Sequence, residues 1–432
     1  MSLEIPPELI KSVFITLKTA WEVFKSWWWV VLPFLFWRPL KYLYRYWRQE
    51  KWDKTVKRIV LEIKMPQEVL KPIRAMEHVF AGFHSTHDVF TWREKWIEGQ
   101  FQLSFSVEIA SLGGEVHFYI RIPESFRDII ESNIYSQYPE AEIFEVEDYT
   151  KKVPQDIPNK DWDLFGMDLI ATKENPYPIK TYRKFEEERV TLEAKRIDPL
   201  AGLLEGMSTL RPGEQLWLQI VVKPLREEKP WVKRGKEIRD ELVRRQKKQK
   251  PKPLLQEAAE ILISGPPSKS PEKKEELIPP EMKLTPGERE IVAAIEEKIS
   301  KFGFDCNIRF IYLGRREVFF KPKARIPYGF FKEISTENLN GFKPDKRKIT
   351  KVKSVFFWFL DKRRVYLRKR RLFRYYQRRW TPNFPRPGGT YVLNSEELAT
   401  LFHFPGRTVA PSSAVSRIEA KKGEPPPGLP VE

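Results

Sequence analysis

The sequence has a single cysteine, Cys306, in 432 residues. That excludes an internal disulfide framework and any cysteine-rich zinc site. It also agrees with a reducing cytoplasm, and Cys306, at the start of an apolar strand pattern, reads as a small buried residue. Histidine is nearly as scarce, with five residues: His78, His84, His87, His117 and His403. His84 and His87 form an H-x-x-H pair that could chelate a metal from a helix. Asp88 is adjacent, but no third ligand is evident, and the same residues also read as an ordinary polar loop before Val89. No G-x-x-x-x-G-K-[ST] loop is present: Gly235-Lys236 is followed by Glu237, and no glycine stands five residues before Gly235. The backbone amides and lysine that cradle nucleotide phosphates are therefore missing. G-x-S-x-G, H-E-x-x-H, paired C-x-x-C and EF-hand signatures are absent too. Nothing can be nominated as catalytic, cofactor-binding or metal-ligating, and the chain reads as a non-enzyme without a cofactor.

What the chain does have is an uncharged aromatic run near its start. Ser26 to Trp37 reads S-W-W-W-V-V-L-P-F-L-F-W. Basic aromatic sequence follows: Arg38, Lys41, Tyr42, Tyr44, Arg45, Tyr46, Trp47 and Arg48. Tryptophan and tyrosine favour the bilayer interface, and lysine and arginine its cytoplasmic side. Trp27, Trp28, Trp29, Val30, Val31, Leu32, Phe34, Leu35, Phe36 and Trp37 are thus expected to form a membrane anchor, with the bulk of the chain cytoplasmic. A spanning helix needs about 20 mostly apolar residues. Extending the run back to Val13 brings in Lys18, Glu22 and Lys25, which can pair along a helix or snorkel. A tilted span, a re-entrant segment, an interfacial helix and a buried core helix all remain open. The acidic first residues and the lack of a small-residue cleavage site argue against a signal peptide.

The length gives room for two or three domains, and 41% apolar and 13% aromatic residues suffice for real cores. The net charge of +18 is concentrated: Lys343 to Trp380 holds 16 lysines and arginines against 2 acidic residues. Such a block suggests an anionic partner. Its expected contacts are Arg363, Arg364, Arg368, Lys369, Arg370, Arg371, Arg374, Arg378 and Arg379, interleaved with Tyr366, Phe373, Tyr375, Tyr376 and Trp380. Anionic inner-leaflet lipid would suit the cations. Single-stranded DNA would suit cations and aromatics together. A solvated face with its aromatics packed inward is the third reading.

Periodicity organises the rest. Arg58–Ile63 reads as a strand, Gln67–Phe83 as a helix, and Gln102–Ser111 and Glu115–Ile122 as alternating strands about a Gly113-Gly114 hairpin. Pro123–Tyr138 reads as a helix and Ala141–Val146 as a strand. This β-α-β-β-α-β order over 54–149 is the ferredoxin-like arrangement. A second, related α+β domain is expected over 150–249 and 282–342. Its elements are a strand at Lys180–Glu187, a helix at Asp198–Leu210, a strand at Gln215–Val222, helices at Trp231–Gln249 and Thr285–Phe302, a strand at Asn307–Leu313 and a helix at Arg325–Glu337. A Pro/Lys/Glu-rich disordered insertion is expected at 250–281. Asn338–Pro344 reads as a loop, and Val352–Leu360 as a strand or a second membrane-contacting segment. In 343–406, a basic helix at Arg363–Trp380 and a helix at Asn394–Phe402 with Ser395 as N-cap follow the basic block. A disordered Pro-rich tail is expected at 407–432, and the anchor with its juxtamembrane segment occupies 1–53.

Two stretches carry a resemblance. E-V-H-F-Y-I-R-I-P-E-S-F-R-D-I-I-E-S-N-I-Y-S-Q-Y-P-E-A-E-I-F-E-V-E-D-Y (Glu115–Tyr149) resembles the N-terminal domain of membrane-linked type IV secretion and conjugative DNA-transfer ATPase proteins of bacteria. Y-V-L-N-S-E-E-L-A-T-L-F-H-F-P-G (Tyr391–Gly406), followed by P-P-P-G-L-P-V (Pro425–Val431), resembles the segment before their motor domain. The resemblance implies a location at the bacterial inner membrane and a P-loop motor beyond the Pro-rich segment. This sequence carries no such loop, so the motor is expected to be lost or encoded separately. On that reading the chain is a non-catalytic accessory subunit that positions the motor, associating with itself or with a hexamer. Asn394, Glu396, Glu397, Leu398, Leu401, Phe402 and Phe404 are the expected docking residues.

Overall fold

The computed structural model describes residues 7–66, 69, 71–187, 198–225, 230–243, 284–354, 356, 358–381 and 389–406. The expected insertion at 250–281 and tail at 407–432 lie outside them. The chain divides into two compact units: residues 1–56 with 89–101, and 57–88 with 102–432.

In the first unit, α1 (Pro7–Asp53) is one helix of 47 residues with Pro33 and Pro39 inside it, about 70 Å long at 1.5 Å per residue. Its C-terminal part is held by the 89–101 segment. Trp96 takes the Lys41 ammonium at 4.6 Å and the Arg45 guanidinium at 5.5 Å from its ring centre, and Trp52 meets Phe101 edge-on at 5.1 Å. Gly99 has φ 81°, and a Cβ there would fall 2.5 Å from the Arg48 backbone, so only glycine closes this turn. No helix among the described residues is long and apolar enough to cross a membrane.

The second unit is α+β, built on an antiparallel sheet. Its first half runs β1 (Arg58–Lys64), α2 (Arg74–Phe83), β2 (Phe105–Leu112), β3 (Glu115–Pro123), α3 (Arg127–Gln137) and β4 (Glu142–Val146). Gly113 and Gly114, both at positive φ, make the tight β2–β3 turn that the strand twist demands. The second half runs β5 (Trp162–Ala171), α4 (Tyr182–Glu187), α5 (Ala201–Ser208), β6 (Glu214–Pro224), α6 (Pro230–Leu242), α7 (Pro286–Ser300), β7 (Gly303–Arg315), α8 (Ile326–Glu333) and β8 (Phe342–Pro344). Then come α9 (Asp361–Arg378), β9 (Tyr391–Asn394) and α10 (Ser395–Leu401).

The strand order is β4-β1-β3-β2-β6-β7-β5-β8, with β9 on β7. Read outward from the antiparallel β2–β6 junction, both halves have the same sequence of neighbours: β2-β3-β1-β4 and β6-β7-β5-β8. The hairpin of the first half is replaced in the second by the α6 and α7 helices. Helix α7 starts with a full capping box between Thr285 and Glu288 and a proline in its first turn, which satisfies backbone donors the helix would otherwise leave orphaned.

Both faces of the sheet are covered. On one face the apolar sides of α2, α3, α5, α8 and α10 pack on Leu61, Val107, Ile109, Phe118, Ile120, Leu218, Ile220 and Phe310. On the other, Leu372, Phe373 and Tyr376 of α9 pack with Tyr149, Val153 and Ile157 onto Ala110, Tyr119, Trp217 and Ile311. Alternation in β2 had suggested a half-buried strand; instead Ser106, Glu108 and Ser111 are buried as well.

Several boundaries differ from the periodicity reading. Lys180–Glu187 is not a strand: Tyr182–Glu187 is helical, with Tyr182 and Phe185 turned into the core. The described residues of 352–360 include no strand, and Trp358–Leu360 forms a single 3₁₀ turn. The 338–344 stretch includes β8, paired with β5. The N-cap of α10 is Asn394, not Ser395: its side chain accepts from the Glu397 amide in a capping box.

Candidate functional site

The basic helix α9 has two unlike sides. Leu372, Phe373 and Tyr376 are buried against the sheet, while Lys362, Arg363, Arg370, Arg371, Arg374 and Arg378 are exposed. Arg363, Leu367, Arg370, Arg374 and Arg378 follow helical spacing along the outer side. Arg370 donates to the Tyr366 hydroxyl at 2.9 Å, and Arg378 lies 4.5 Å above the Trp380 ring.

Beneath the helix, the ladder register sets one residue per strand in a row: Glu62, Tyr119, Glu108, Gln219, Arg309 and Asp168. All but Glu62 are buried. Arg309 donates to Asp168 Oδ1 at 2.8 Å and to Gln219 at 3.5 Å. Gln219 donates to Glu108 at 3.0 Å, and so do Ser106 and Tyr149, each at 2.6 Å. The row is completed from the helix end. Arg379, in the left-handed conformation that ends α9, donates through Nε and Nη2 to the two Glu108 oxygens at 2.9 and 3.0 Å and also pairs with Asp148. Burial alone would raise the Glu108 carboxyl. The Arg379 charge and the hydrogen bonds of Arg379, Ser106 and Tyr149 overcome it and hold Glu108 below the usual carboxylate range. Asp148 is lowered in the same balance. Burial, reinforced by Glu108, pushes the Tyr149 and Tyr376 hydroxyls well up.

The nine expected anionic-partner contacts therefore separate. Arg363, Arg370, Arg371, Arg374 and Arg378 face solvent. Arg379 does not: at 4% exposure and bound to two carboxylates it is a structural ion, which corrects its assignment to a partner surface. Lys369 bridges to Asp163 at 2.5 Å, Arg368 donates to the Ile349 carbonyl at 3.0 Å, and Arg364 donates to Ser354 at 2.7 Å. Of the five interleaved aromatics only Tyr366 is exposed.

The expected motor-docking segment is corrected for the same reason. Asn394, Glu396, Glu397, Leu398, Leu401, Phe402 and Phe404 are 0–4% exposed. The apolar members pack against Phe80 and Phe118. Glu397 pairs with buried Lys298 at 3.0 Å and accepts from the Ile179 amide at 2.9 Å. Glu396 is held by Lys301 and by Arg183. Burial raises the Glu397 carboxyl and lowers the Lys298 ammonium, so desolvation weighs on both. This surface is spent inside the chain.

Of the anchor residues, Trp27, Trp29, Phe36 and Trp37 are exposed and Val30 is half-buried; the side chains of Trp28, Val31, Leu32, Phe34 and Leu35 lie outside the described set. His84 Nε2 donates to the Leu225 carbonyl at 2.9 Å, and the ring stacks on Phe302 at 4.7 Å. Among the described residues no group of three histidine, cysteine or acidic side chains is placed to hold a metal. Cys306 is buried in β7, where burial pushes its thiol well up.

Two grooves flank the segment leading into α9. One, of about 920 Å³, is lined by Lys160, Asp163, Arg316, Lys362, Tyr366 and Lys369 among others. The second, of about 580 Å³, is lined by residues including Phe165, Lys321, Arg325, Tyr328 and Lys351. The residue types here fit anion binding; they supply no nucleophile paired with a base.

These features define a two-unit protein whose α+β body carries a cationic helix on one sheet face. The chain belongs to the DUF8128 family, a domain of unknown function, whose profile matches residues 53–340. The match runs from the end of α1 through α8 and stops short of β8, the basic helix and α10. Comparison with the curated proteins gives no match.

Proposed function

We propose that this protein is a non-catalytic, membrane-attached accessory subunit of a type IV secretion-like or conjugative DNA-transfer apparatus. It would hold a separately encoded P-loop motor at the cytoplasmic face of the bacterial inner membrane. The observation that carries the membrane part is α1, which exposes Phe14, Trp21, Phe24, Trp27, Trp29, Phe36, Trp37 and Trp47 along its length. A soluble monomer rarely leaves so many large aromatic side chains of one helix in water. Lys18, Glu22 and Lys25 interrupt the apolar run, which favours a helix seated in the interface, its aromatic rings at headgroup depth. The mirrored neighbour order of the two sheet halves supports reading each as a ferredoxin-like unit, a scaffold for contacts rather than chemistry. The test is fractionation of the full chain and of a Trp27→Ser/Trp29→Ser/Phe36→Ser/Trp37→Ser variant. The parent is expected in the membrane fraction and the variant in the soluble one. A parent that stays soluble without lipid or detergent rejects the attachment, and nucleotide hydrolysis by the purified chain rejects the non-catalytic assignment.

The outward arginine stripe favours a second reading, a membrane-tethered nucleic-acid-binding protein. Binding through phosphate contacts would weaken steeply as salt rises. Its stacking platform is reduced, however, because Phe373 and Tyr376 serve the core.

A further inference from the structure

Deepening the membrane reading, we infer that the loop before α9 is a second, preformed bilayer contact, an aromatic wedge that enters an anionic membrane surface independently of α1. Phe356, Trp358 and Phe359 are 85, 73 and 62% exposed. Three bulky aromatics within four residues are thus largely exposed. Tyr366 and Leu367, in the first two turns of α9, are exposed as well.

Ser354 and Asp361, on either side of these aromatics, are tied together. The Ser354 amide and hydroxyl both donate to the Asp361 carboxylate, at 2.8 and 2.6 Å, and Arg364 donates to the same hydroxyl at 2.7 Å. These hydrogen bonds hold Asp361 below the usual carboxylate value and staple both ends of the aromatic segment together. Tying the two flanks in advance lowers the conformational entropy lost on insertion.

Charge selects the occupant. From Lys351 to Arg371 there are nine cationic residues against one acidic residue. Lys351, Lys353, Lys362 and Arg363, which flank the aromatics in sequence, are exposed. Aromatic rings at the interface with lysine and arginine at headgroup level are what an anionic bilayer accepts. The groove that includes Val352 and Asp361 also holds Lys160 and Lys362, while its Arg316 and Lys369 are engaged by Asp163. Single-stranded nucleic acid is less well served, since a base platform needs several exposed rings along the cationic stripe, and the stripe beyond Tyr366 has only arginines and Leu367 on its exposed side.

The test uses the full chain with a single engineered label. Cys306 is buried and does not compete for a thiol-reactive, polarity-sensitive fluorophore. The dye is placed through Phe356→Cys on the wedge, Phe14→Cys on α1, or Glu124→Cys as an exposed control. Each protein is mixed with vesicles of phosphatidylcholine alone or of phosphatidylcholine and phosphatidylglycerol in equal parts. The label at 356 is expected to shift to the blue with phosphatidylglycerol vesicles and to lose that shift in high salt, while the label at 124 stays unchanged. In a Trp358→Ser/Phe359→Ser background the vesicle affinity read at 356 should fall by about a hundredfold or more, the loss expected when two buried aromatics are removed from an apolar medium. A silent label at 356 with a responsive label at 14 overturns the wedge and leaves α1 attachment standing. The converse supports the wedge and removes α1. A blue shift at 356 produced by a single-stranded oligonucleotide but not by phosphatidylglycerol vesicles overturns the proposal in favour of nucleic acid.

Discussion

Arg379 and Arg374 stand five residues apart at the end of the same helix, yet they do different work. Arg374 faces water. Arg379 sits beneath the helix between Glu108 and Asp148, where its desolvation is offset only by those carboxylates and its hydrogen bonds. The same division runs along all of α9. One side couples the helix to the sheet, and the other presents charge outward. What decides the role of a cation in this block is the side of the helix it occupies and which carboxylate has come to meet it, not the density of charge around it.

The strongest way to break this comparison is Arg379→Ala. Leaving Glu108 buried and unpaired should cost about 3–5 kcal/mol, read as a lower denaturant midpoint. An equally stable variant would show that the buried row does not need its arginine. The next effect is on pH. The folded pKa values of Glu108 and Asp148 lie below their ordinary 4.5 and 3.8. Their contribution is therefore complete above those ordinary values and is lost as pH falls through the depressed folded ones. Stability should hold from pH 7 to 5 and drop below about pH 4, and Arg379→Ala should flatten that drop; an unchanged acid limb in the variant would assign the acid sensitivity elsewhere. Lys369→Ala, which removes the half-buried bridge to Asp163, should cost about 1 kcal/mol or less. A loss as large as that of Arg379→Ala would erase the inner–outer distinction. Smallest of all, Arg374→Ala should leave melting within about 0.5 kcal/mol of the parent while weakening binding to anionic vesicles at low salt. Full retention of binding would remove the outer stripe from the interface.

The same contrast explains which parts of the fold are legible in sequence. Strands β1 to β4 and helices α2 and α3 could be read locally because the alternating or helical spacing of their apolar residues lies within each segment. Strand β5 could not: Asp163, Gly166 and Asp168 break its pattern, and Asp168 belongs in a strand only because Arg309, 141 residues away, answers it. Arg379 looked like the rest of its block because its partner Glu108 lies 271 residues away. Glu396 and Glu397 read as docking residues, but Lys298, Lys301 and Arg183 draw them inside. Ionic side chains announce a surface by composition, and only tertiary pairing reverses that. The polar half of β2, Ser106 and Glu108, was the one local signal of the buried row.

The β2–β6 junction has a consequence for how the chain is made. Strand β2 is complete at Leu112, but the strand that covers its open edge begins only at Glu214, about a hundred residues later. At roughly 5–20 residues per second the ribosome leaves that edge bare for something like 5–20 seconds. During that interval each nascent chain exposes an unpaired strand to its neighbours on the polysome, a template for mispairing. Early engagement by a chaperone, or by the membrane through the already synthesised α1, would shelter it until β6 arrives.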